Sequence, residues 1–366
     1  MYVFILLKNL INSAVDEEVT SATVFCKAMY NERKREKTHS MSNSIDPQVI
    51  GQEQIRVSVI IVNWNTCDLL HNCVRSVKAQ TSAVHEIIVI DNASSDGSAE
   101  MVRREFPDVI LIANTGNRGF AAANNQGLEI ARGESVLLLN PDTVVLDHAI
   151  DTMLDWLEIH RDVGCVGCQV LEGPDVVQKT CFADPSPLNL AIIELGLLRL
   201  ARYARVLGRP WYMDWDREST RDVDVVSGMF MLVPRMVLQE VGPLDEGFFV
   251  YAEEADWCRR IRKVGWRCVF ATEAQIIHLD GGSKSTAQIR SRMYVQLQKS
   301  HLYYVRKHYG RLGFAAVKTL FVGSALARGV LFGIRSVFRR DADTRARVRL
   351  SAAALRYHLF GREAES

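Results

Sequence analysis

Two groups of acidic residues, far apart in the chain, have the type and spacing to do chemistry. Asp91 follows the apolar run 86–90, and Asp142 follows the run 135–139 in an Asn-Pro-Asp turn. Carboxylates at the ends of buried parallel strands lie at the sheet edge where ligands bind. Together they could hold a nucleotide and Mg²⁺ or Mn²⁺, which favour one or two carboxylates plus phosphate oxygens. Asn, Asp and Pro also favour turns on their own, so a structural role stays open.

The second group is Glu253, Glu254 and Asp256, which lie within four residues of one another between aromatic side chains. Like charges this close raise the pKa of at least one carboxyl group, and partial burial adds to that shift. A carboxylate with a raised pKa can act as a general base. The alternative is an acidic helix N-terminus stabilised by the helix dipole, and the two interpretations are compatible.

His278 and the loop 114–120 are weaker candidates. A single histidine after an apolar run is more often structural than a ligand, and His278 becomes a candidate metal ligand only if Asp142 lies nearby. In the loop, backbone N–H groups at Gly116 and Gly119 could bind an anion near a helix start. Neither G-x-G-x-x-G nor a P-loop pattern is present, so a loop that merely closes a strand–helix unit is equally open.

The elements that must position these residues alternate between strand and helix. We predict four strands and four helices, in the order 57–62, 68–80, 86–90, 98–105, 109–112, 121–132, 135–139 and 147–160. Such alternation predicts an α/β fold with a mostly parallel sheet flanked by helices. Polar side chains that follow the strands would then share one edge, namely Asn63, Asn65, Asp91, Asn140 and Asp142.

Beyond Cys165 the alternation weakens. We predict a strand over 224–233, with Gly228 where close backbone approach is needed, and a loop that runs into a helix over 248–262. Short strands are predicted at 267–271 and 275–278, and helix from residue 288 onward.

Composition limits the function classes. The 366 residues are 48% hydrophobic and 24% charged with a net charge of +1, which is typical of a globular protein and gives no reason to expect a nucleic-acid partner. Eight cysteines are too few for a disulfide scaffold, and Cys165-x-x-Cys168 has no second ligand pair for zinc. We expect buried, reduced thiols in a reducing cytosol.

Both ends of the chain differ from the middle. Residues 1–54 are predicted to be a poorly ordered extension without a signal peptide, and Met41 is an alternative start to Met1. From Arg306 to Arg349 there are eleven Lys and Arg against two acids. The apolar stretch 314–338 has the length of a membrane span but is interrupted by basic residues. We expect residues 306–349 to lie on an anionic membrane surface, with packing on the catalytic domain or in a dimer as the alternative.

Taken together, these segments resemble glycosyltransferase family 2 of the GT-A fold, and within it the rhamnosyltransferase-like enzymes. The resemblance covers roughly residues 56–285 and is specific in its combination and order. It is carried by VSVIIVNWN (57–65), IIVIDNASSDGS (87–98), NTGNRGFAAANNQG (114–127), LLLNPDT (137–143), VDVVSGMFMLVPR (223–235), FFVYAEEADWCRRIRKVGW (248–266) and IIHLDGGS (276–283). The domains implied are the N-terminal extension 1–54, a GT-A domain over 55–285 and a basic helical C-terminal extension over 286–366.

The resemblance implies a role for each candidate residue. The family's metal motif stands at Asn140-Pro141-Asp142, with His278 as a further metal ligand, and its general base falls in Glu253-Glu254; we assign the base to Glu254, with Glu253 and Asp256 as the other candidates. Gly228 and Trp257 are expected on the acceptor side. Donor contacts are expected from Asn63, Asn65, Asp91, Asn117, Arg118, Gly119, Asn124, Asn140 and Asp142.

The function implied is inverting transfer of a sugar, rhamnose from dTDP-rhamnose first among the donors, to a saccharide or lipid-linked saccharide in cell-surface polysaccharide synthesis. A divalent cation, Mg²⁺ or Mn²⁺, is the expected cofactor, and the expected location is cytoplasmic or on the cytoplasmic face of the inner membrane. The alternative is a catalytically silent nucleotide-sugar-binding or scaffold protein of the same fold. The sequence leaves formation of a homo-oligomer open.

Overall fold

The structure is a computed structural model that describes residues 54–173, 176–279, 290–338 and 341–361. The expected N-terminal extension lies outside these residues except for Gln54, as does the expected domain boundary at residues 285 and 286.

The strands of the described ranges form one sheet in the order β3-β2-β1-β4-β9-β6-β10-β5, with β7 beside β6 and β8 beside β10. The strands are β1 (Val57–Asn63), β2 (His85–Asp91), β3 (Ile110–Ala113), β4 (Ser135–Leu139), β5 (Thr143–Val145), β6 (Val163–Gly173), β7 (Val176–Val177), β8 (Arg221–Asp222), β9 (Phe230–Pro234) and β10 (Arg267–His278). The run from β3 to β4 is parallel throughout, and so is the pair of β6 with β10. Strand β9 lies antiparallel between β4 and β6.

Helices cover both faces of this sheet. They are α1 (Cys67–Gln80), α2 (Ser98–Glu105), α3 (Phe120–Ile130), α4 (Ala149–Ile159), α5 (Pro187–Glu194), α6 (Arg205–Gly208), α7 (Arg235–Val241), α8 (Glu253–Lys263), α9 (Arg290–Phe338) and α10 (Ala342–Phe360). Strand β1 is buried on both sides: Ile60 and Val62 pack in one core with helix α3, and Val59 and Ile61 pack in the other with α1. Burial on both faces explains why the strands read as continuous apolar runs rather than alternating ones.

Two predicted strands have different bounds in the structure. The strand expected over 224–233 begins only at Phe230, because Ser227 and Gly228 before it line a cavity instead of pairing. The two short strands expected at 267–271 and 275–278 are one strand, β10, whose register shifts between Phe270 and Gln275. Such a bulge adds unpaired residues and bends the strand without ending it.

The cysteines of the described segments are free, and all except Cys67 are buried. Cys165 and Cys168 belong to the two different cores, on opposite faces of β6, because side chains alternate along a strand. Their C-x-x-C spacing therefore does not form one metal site.

Helix α9 changes direction at Gly310, whose backbone is non-helical at φ 70° and ψ −166°. The part before Gly310 packs on the segment 245–256: Ser300 Oγ donates a hydrogen bond of 2.7 Å to the carbonyl of Val250, and the ring of Tyr303 meets that of Phe248 edge-on at 4.7 Å. The part after Gly310 runs beside α5 and α10. Helix α9 is therefore part of the folded domain.

Candidate active site

Asp142 and His278 come together at the carboxyl end of β4. Strand β5 follows the Asn140-Pro141-Asp142 turn and pairs antiparallel with β10, so that His278 lies opposite Thr143. Asp142 Oδ2 is 3.0 Å from His278 Nε2. Both side chains are nearly inaccessible, at 7% and 2% exposed. Because Asp142 lies this close to it, His278 is a candidate metal ligand.

The donor atoms of this pair fit a divalent cation. Asp142 Oδ1 and both ring nitrogens of His278 are buried and have no hydrogen-bond partner among the described residues. Buried polar atoms without partners are costly, so their number at one place points to a bound group. A carboxylate oxygen with an imidazole nitrogen suits Mn²⁺, and a carboxylate with phosphate oxygens suits Mg²⁺.

The loop 114–120 is held by side-chain amides. Asn92 accepts a hydrogen bond of 2.9 Å from the backbone N–H of Arg118 and donates one of 2.9 Å to Asn117 Oδ1. Asn124 is buried, and its side chain donates to the carbonyl of Phe120 in the first turn of α3. Asn117 and Gly119 line a cavity of about 680 Å³, whereas Arg118 and Asn124 do not.

The ends of β1 and β2 form a second polar cluster. Asn63 donates a hydrogen bond of 3.1 Å to Asp91 Oδ1, and Asp91 Oδ2 accepts from the backbone N–H of Ser94. Asn65 accepts from the backbone N–H of Ser95. Asn63, Asn65 and Asp91 were expected to contact the sugar donor, but they hydrogen-bond to one another or to the turn at residues 94 and 95. None of the three lines the cavity. Their neighbours Trp64, Thr66 and Asn92 do, and our sequence analysis did not single them out.

Glu253 and Glu254 begin helix α8 after two residues with left-handed backbone, Tyr251 (φ 72°) and Ala252 (φ 67°). Such conformations cost roughly 1–3 kcal/mol each for residues other than glycine and cluster at functional sites. In both glutamates Oε2 is buried without a hydrogen-bond partner in the described parts of the chain.

Burial raises the pKa of both glutamates. For Glu253, which is 4% exposed, desolvation and the nearby Glu254 charge raise the pKa well above its ordinary value. Glu254 keeps part of its side chain open, yet it lies deep enough for desolvation to raise its pKa as well. The helix N-terminus alone would favour the charged forms. Desolvation outweighs it, so these carboxyl groups can take up a proton near neutral pH more readily than surface glutamates.

Asp256 and Trp257 lie away from the cavity. Asp256 is fully buried and makes ion pairs of 2.7–2.8 Å with Arg260, Lys307 and His308, which hold its pKa far below the ordinary range against desolvation. Trp257 is fully buried and donates to the carbonyl of Gly242. Two residues along a helix is a turn of about 200°, so Asp256 faces the opposite side from Glu254. The structure thus separates both residues from the roles expected for them at the cavity.

One cavity of about 680 Å³ collects the remaining candidates. Its lining includes the expected residues Asn117, Gly119, Asn140, Asp142, Gly228, Glu253 and Glu254. Further walls come from parts of the chain that our sequence analysis did not assign to the site, including Leu190, Ile193, Trp211, Arg292, Gln296 and His301. These lie in α5, the segment after it and α9, where no local motif marks them. Asp142, which contacts the buried His278, and the pair Glu253 and Glu254 therefore border a common cavity.

Comparison with known proteins identifies the family of this chain. The model of the family described as glycosyl transferase family 2 matches residues 58–242, just over half of the chain. An N-acetylglucosaminyl-diphospho-decaprenol L-rhamnosyltransferase of Mycobacterium tuberculosis is 28% identical over 240 residues, which cover 60% of this chain and 75% of that protein. A low-salt glycan biosynthesis hexosyltransferase of Haloferax volcanii is 26% identical over 215 residues, covering 57% of this chain and 62% of that protein.

Among solved structures, a mannosyltransferase from Pyrobaculum calidifontis in complex with GDP-Man and Mn²⁺ aligns over 94% of this chain and 98% of its own, with 19% identity and a TM-score of 0.46. The family match itself spans β1 to α7 and includes Asp142 and the loop 114–120. The chain therefore belongs to glycosyl transferase family 2 and is a glycosyltransferase with the GT-A fold.

Proposed function

We propose that this enzyme transfers a sugar from a nucleotide-sugar donor to a hydroxyl of a saccharide or lipid-linked saccharide, with inversion at the anomeric carbon, in cell-surface polysaccharide synthesis. The observation that supports this most is that Asp142, paired with His278, and the two glutamates of α8 face one cavity. A cation site for a diphosphate and a base for an alcohol are the two parts that direct displacement requires.

In this mechanism Glu254 accepts the proton of the acceptor hydroxyl as its oxygen attacks the anomeric carbon. The bond from that carbon to the donor's diphosphate breaks at the same time, and the nucleoside diphosphate leaves on the opposite side. Asp142 and His278 would hold a divalent cation, which would supply positive charge for the leaving oxygens, where fixed electrostatic groups contribute most. Asn117 and Gly119 position the donor from the loop 114–120.

The environment of the two glutamates favours Glu254 as the base. Glu253 is the more deeply buried, and desolvation and the nearby Glu254 charge raise its pKa well above the ordinary value, which makes it the poorer candidate for a charged base. Glu254 opens partly to the cavity and can hold the charge that a base needs. One proton shared by two adjacent carboxyl groups is the usual outcome of such coupling.

The donor proposed first is dTDP-rhamnose, supported by the name of the mycobacterial relative. UDP-galactose, UDP-glucose and UDP-N-acetylglucosamine are the next donors to test, because the second relative is named as a hexosyltransferase without a stated sugar. The lipid-linked acceptor is supported in the same way, since the mycobacterial enzyme's name contains a diphospho-decaprenol.

We also propose that residues 306–349 lie on the cytoplasmic face of a membrane. The helix Ser291–Phe338 contains an 18-residue window with mean hydropathy 1.5, of which 17% is buried. By length and composition this helix could cross a membrane, a weak criterion because helices of soluble proteins also meet it. Its exposed apolar residues alternate with Lys318, Arg328 and Arg335, which favours a position on the surface.

The experiment is a donor screen followed by a transfer assay. Thermal unfolding of the full chain is measured with each activated sugar, with and without Mn²⁺ or Mg²⁺, because a ligand of the native state alone raises its stability by mass action. We expect stabilisation that needs both a nucleotide sugar and a cation, and then transfer of the labelled sugar to a lipid-linked saccharide. Failure of every nucleotide sugar to stabilise the chain would refute the proposal.

A further inference from the structure

The segment 195–213, between α5 and β8, forms a lobe that is both basic and apolar on its surface. It contains Arg199, Arg202, Arg205 and Arg209 and no acidic residue. Five apolar or aromatic side chains of the same segment are exposed, at 43–70% of their surface: Leu195, Leu200, Tyr203, Val206 and Met213. We call this segment the arginine lobe.

The cations of the arginine lobe are largely unneutralised. The side chains of Arg199 and Arg205 make no ion pair or hydrogen bond with the described residues, and Arg202 lies over the ring of its neighbour Tyr203 at 4.7 Å. Arg209 reaches Asp224 only at 3.4 Å on the surface. Arginines interspersed with exposed aliphatic side chains are complementary to a surface that is anionic at its outside and apolar beneath.

The arginine lobe is held in place by the buried side chain of Arg217. The guanidinium of Arg217 is fully buried without a carboxylate and donates hydrogen bonds to backbone carbonyls of Trp211, Tyr212 and Trp215 within or beside the lobe. It also donates to Thr180 and Cys181 in the core. This arrangement fixes the end of the lobe to the sheet, so the exposed side chains before it are presented on a firm base.

The lobe borders the active-site cavity. Pro210 and Trp211 line the cavity directly, and Leu190 and Ile193 of the preceding helix α5 line it as well. At the start of the lobe, Glu194 pairs with Arg328 of α9 and accepts a hydrogen bond from Ser324. Val330 and Leu331, further along α9, are also exposed apolar residues.

We propose that the arginine lobe docks on anionic lipid headgroups and inserts its exposed apolar side chains among them, so that the cavity opens toward the membrane. Charge selects this partner: a second copy of the chain would bring arginines against arginines, and a nucleic acid would leave Leu200 and Val206 in water. Arg with Leu and Tyr on one face is the pattern of interfacial membrane contact. This inference extends the proposed function, because docking on the membrane would bring a lipid-linked acceptor to the cavity. The membrane contact itself does not depend on the proposed function.

The test is sedimentation of the full chain with vesicles of phosphatidylglycerol and phosphatidylcholine, compared with phosphatidylcholine alone. The double variant Arg199→Glu/Arg205→Glu should bind the anionic vesicles at least on the order of thirty-fold more weakly, because loss of each basic residue removes about 1 kcal/mol and the introduced carboxylates repel the surface. The matched control Arg161→Glu/Lys263→Glu carries the same charge change on exposed residues outside the lobe, which precede β6 and β10. It should bind as the wild type does.

A second variant, Leu200→Ser/Tyr203→Ser/Val206→Ser, tests insertion and should also weaken binding. The proposal is overturned if the wild type does not bind anionic vesicles, or if both lobe variants bind like the control. It is overturned too if only Val330→Ser/Leu331→Ser in α9 weakens binding, or if the lobe variants change the oligomeric state by light scattering. Stabilisation by nucleotide sugar, measured on the same proteins, reports separately on the proposed function and should be unchanged in the lobe variants.

Discussion

The backbone N–H of Phe120 donates a hydrogen bond of 2.6 Å to the carbonyl oxygen of Phe249. It joins the loop 114–120, of which Asn117 and Gly119 line the cavity, to the segment that leads into Glu253 and Glu254. The loop 114–120 and the candidate base are thereby fixed relative to each other by a main-chain contact, although they lie far apart along the chain.

Gly119 is the residue that permits this contact, so Gly119→Ala should disrupt it. A Cβ atom at Gly119 would lie 2.4 Å from the carbonyl oxygen of Phe249, and the residue has φ +84°. We expect the free energy of unfolding to fall by about 1–3 kcal/mol for the backbone strain alone, and nucleotide-sugar binding to be lost. The matched control is Gly116→Ala in the same loop, where a Cβ would meet no atom within 4 Å. Equal denaturant stability and donor affinity for the two variants would contradict this reading.

Asp142→Ala should remove cation-dependent donor binding. Asp142 and His278 offer the buried atoms without partners, so the variant loses the anionic half of the site while His278 remains. Calorimetric titration with donor, in the presence and absence of Mn²⁺, should show no cation-dependent gain in affinity. Asp155→Ala, at an exposed position of α4, serves as the control. Unchanged cation-dependent affinity in Asp142→Ala would remove this residue from the site.

Asp256→Asn should destabilise the fold in a pH-dependent manner. The folded-state pKa of Asp256 is depressed, so its carboxylate adds stability above the unfolded pKa of about 3.9 that is lost as pH falls toward the folded value. Removing one partner of a buried ion pair costs about 3–5 kcal/mol, and the lower end applies because Lys307 is 30% exposed. Denaturant unfolding should show this deficit at pH 7 and a smaller one below about pH 4. A deficit independent of pH would contradict the ion-pair account.

Turnover should fall on acidification with a midpoint above the ordinary glutamate pKa of about 4.3, because burial raises the pKa of Glu254. Protonation of this base abolishes its role, so the rate follows the deprotonated fraction. In Glu253→Gln the acid limb should stay in place, because in our proposal the more deeply buried Glu253 is the member of the pair that keeps the shared proton. A pH–rate profile whose acid limb shifts down by one pH unit in this variant would show that Glu253 carries charge.

The part of the sheet formed by β1, β2 and β4 follows closely from the local sequence. The apolar runs at 57–62, 86–90 and 135–139 are buried on both faces, and their polar ends define the site edge, so β1, β2 and β4 appear within a residue of their predicted bounds. Family resemblance adds the order of the motifs. The resemblance can be recognised from the sequence because each motif is local and ends at the same sheet edge.

The rest of the site depends on contacts that local patterns do not contain. Glu254 and Asp256 are both acidic residues of one short segment, and the sequence alone does not distinguish their surroundings. The helical turn between them places Glu254 at the cavity and Asp256 against Lys307 and His308 of α9. The wall that includes His301 forms because α9 folds back over the segment 245–256, a tertiary contact without a sequence signature.

The most direct test of the account is Glu254→Gln, measured for both turnover and donor affinity with the nucleotide sugar that best stabilises the wild type. Glutamine keeps the size and removes the base, so turnover should fall about 10²–10⁴-fold while calorimetric donor affinity stays within a factor of two or so. Loss of donor affinity in step with turnover, or full turnover in the variant, would contradict the assignment of Glu254 as the group that takes the acceptor's proton.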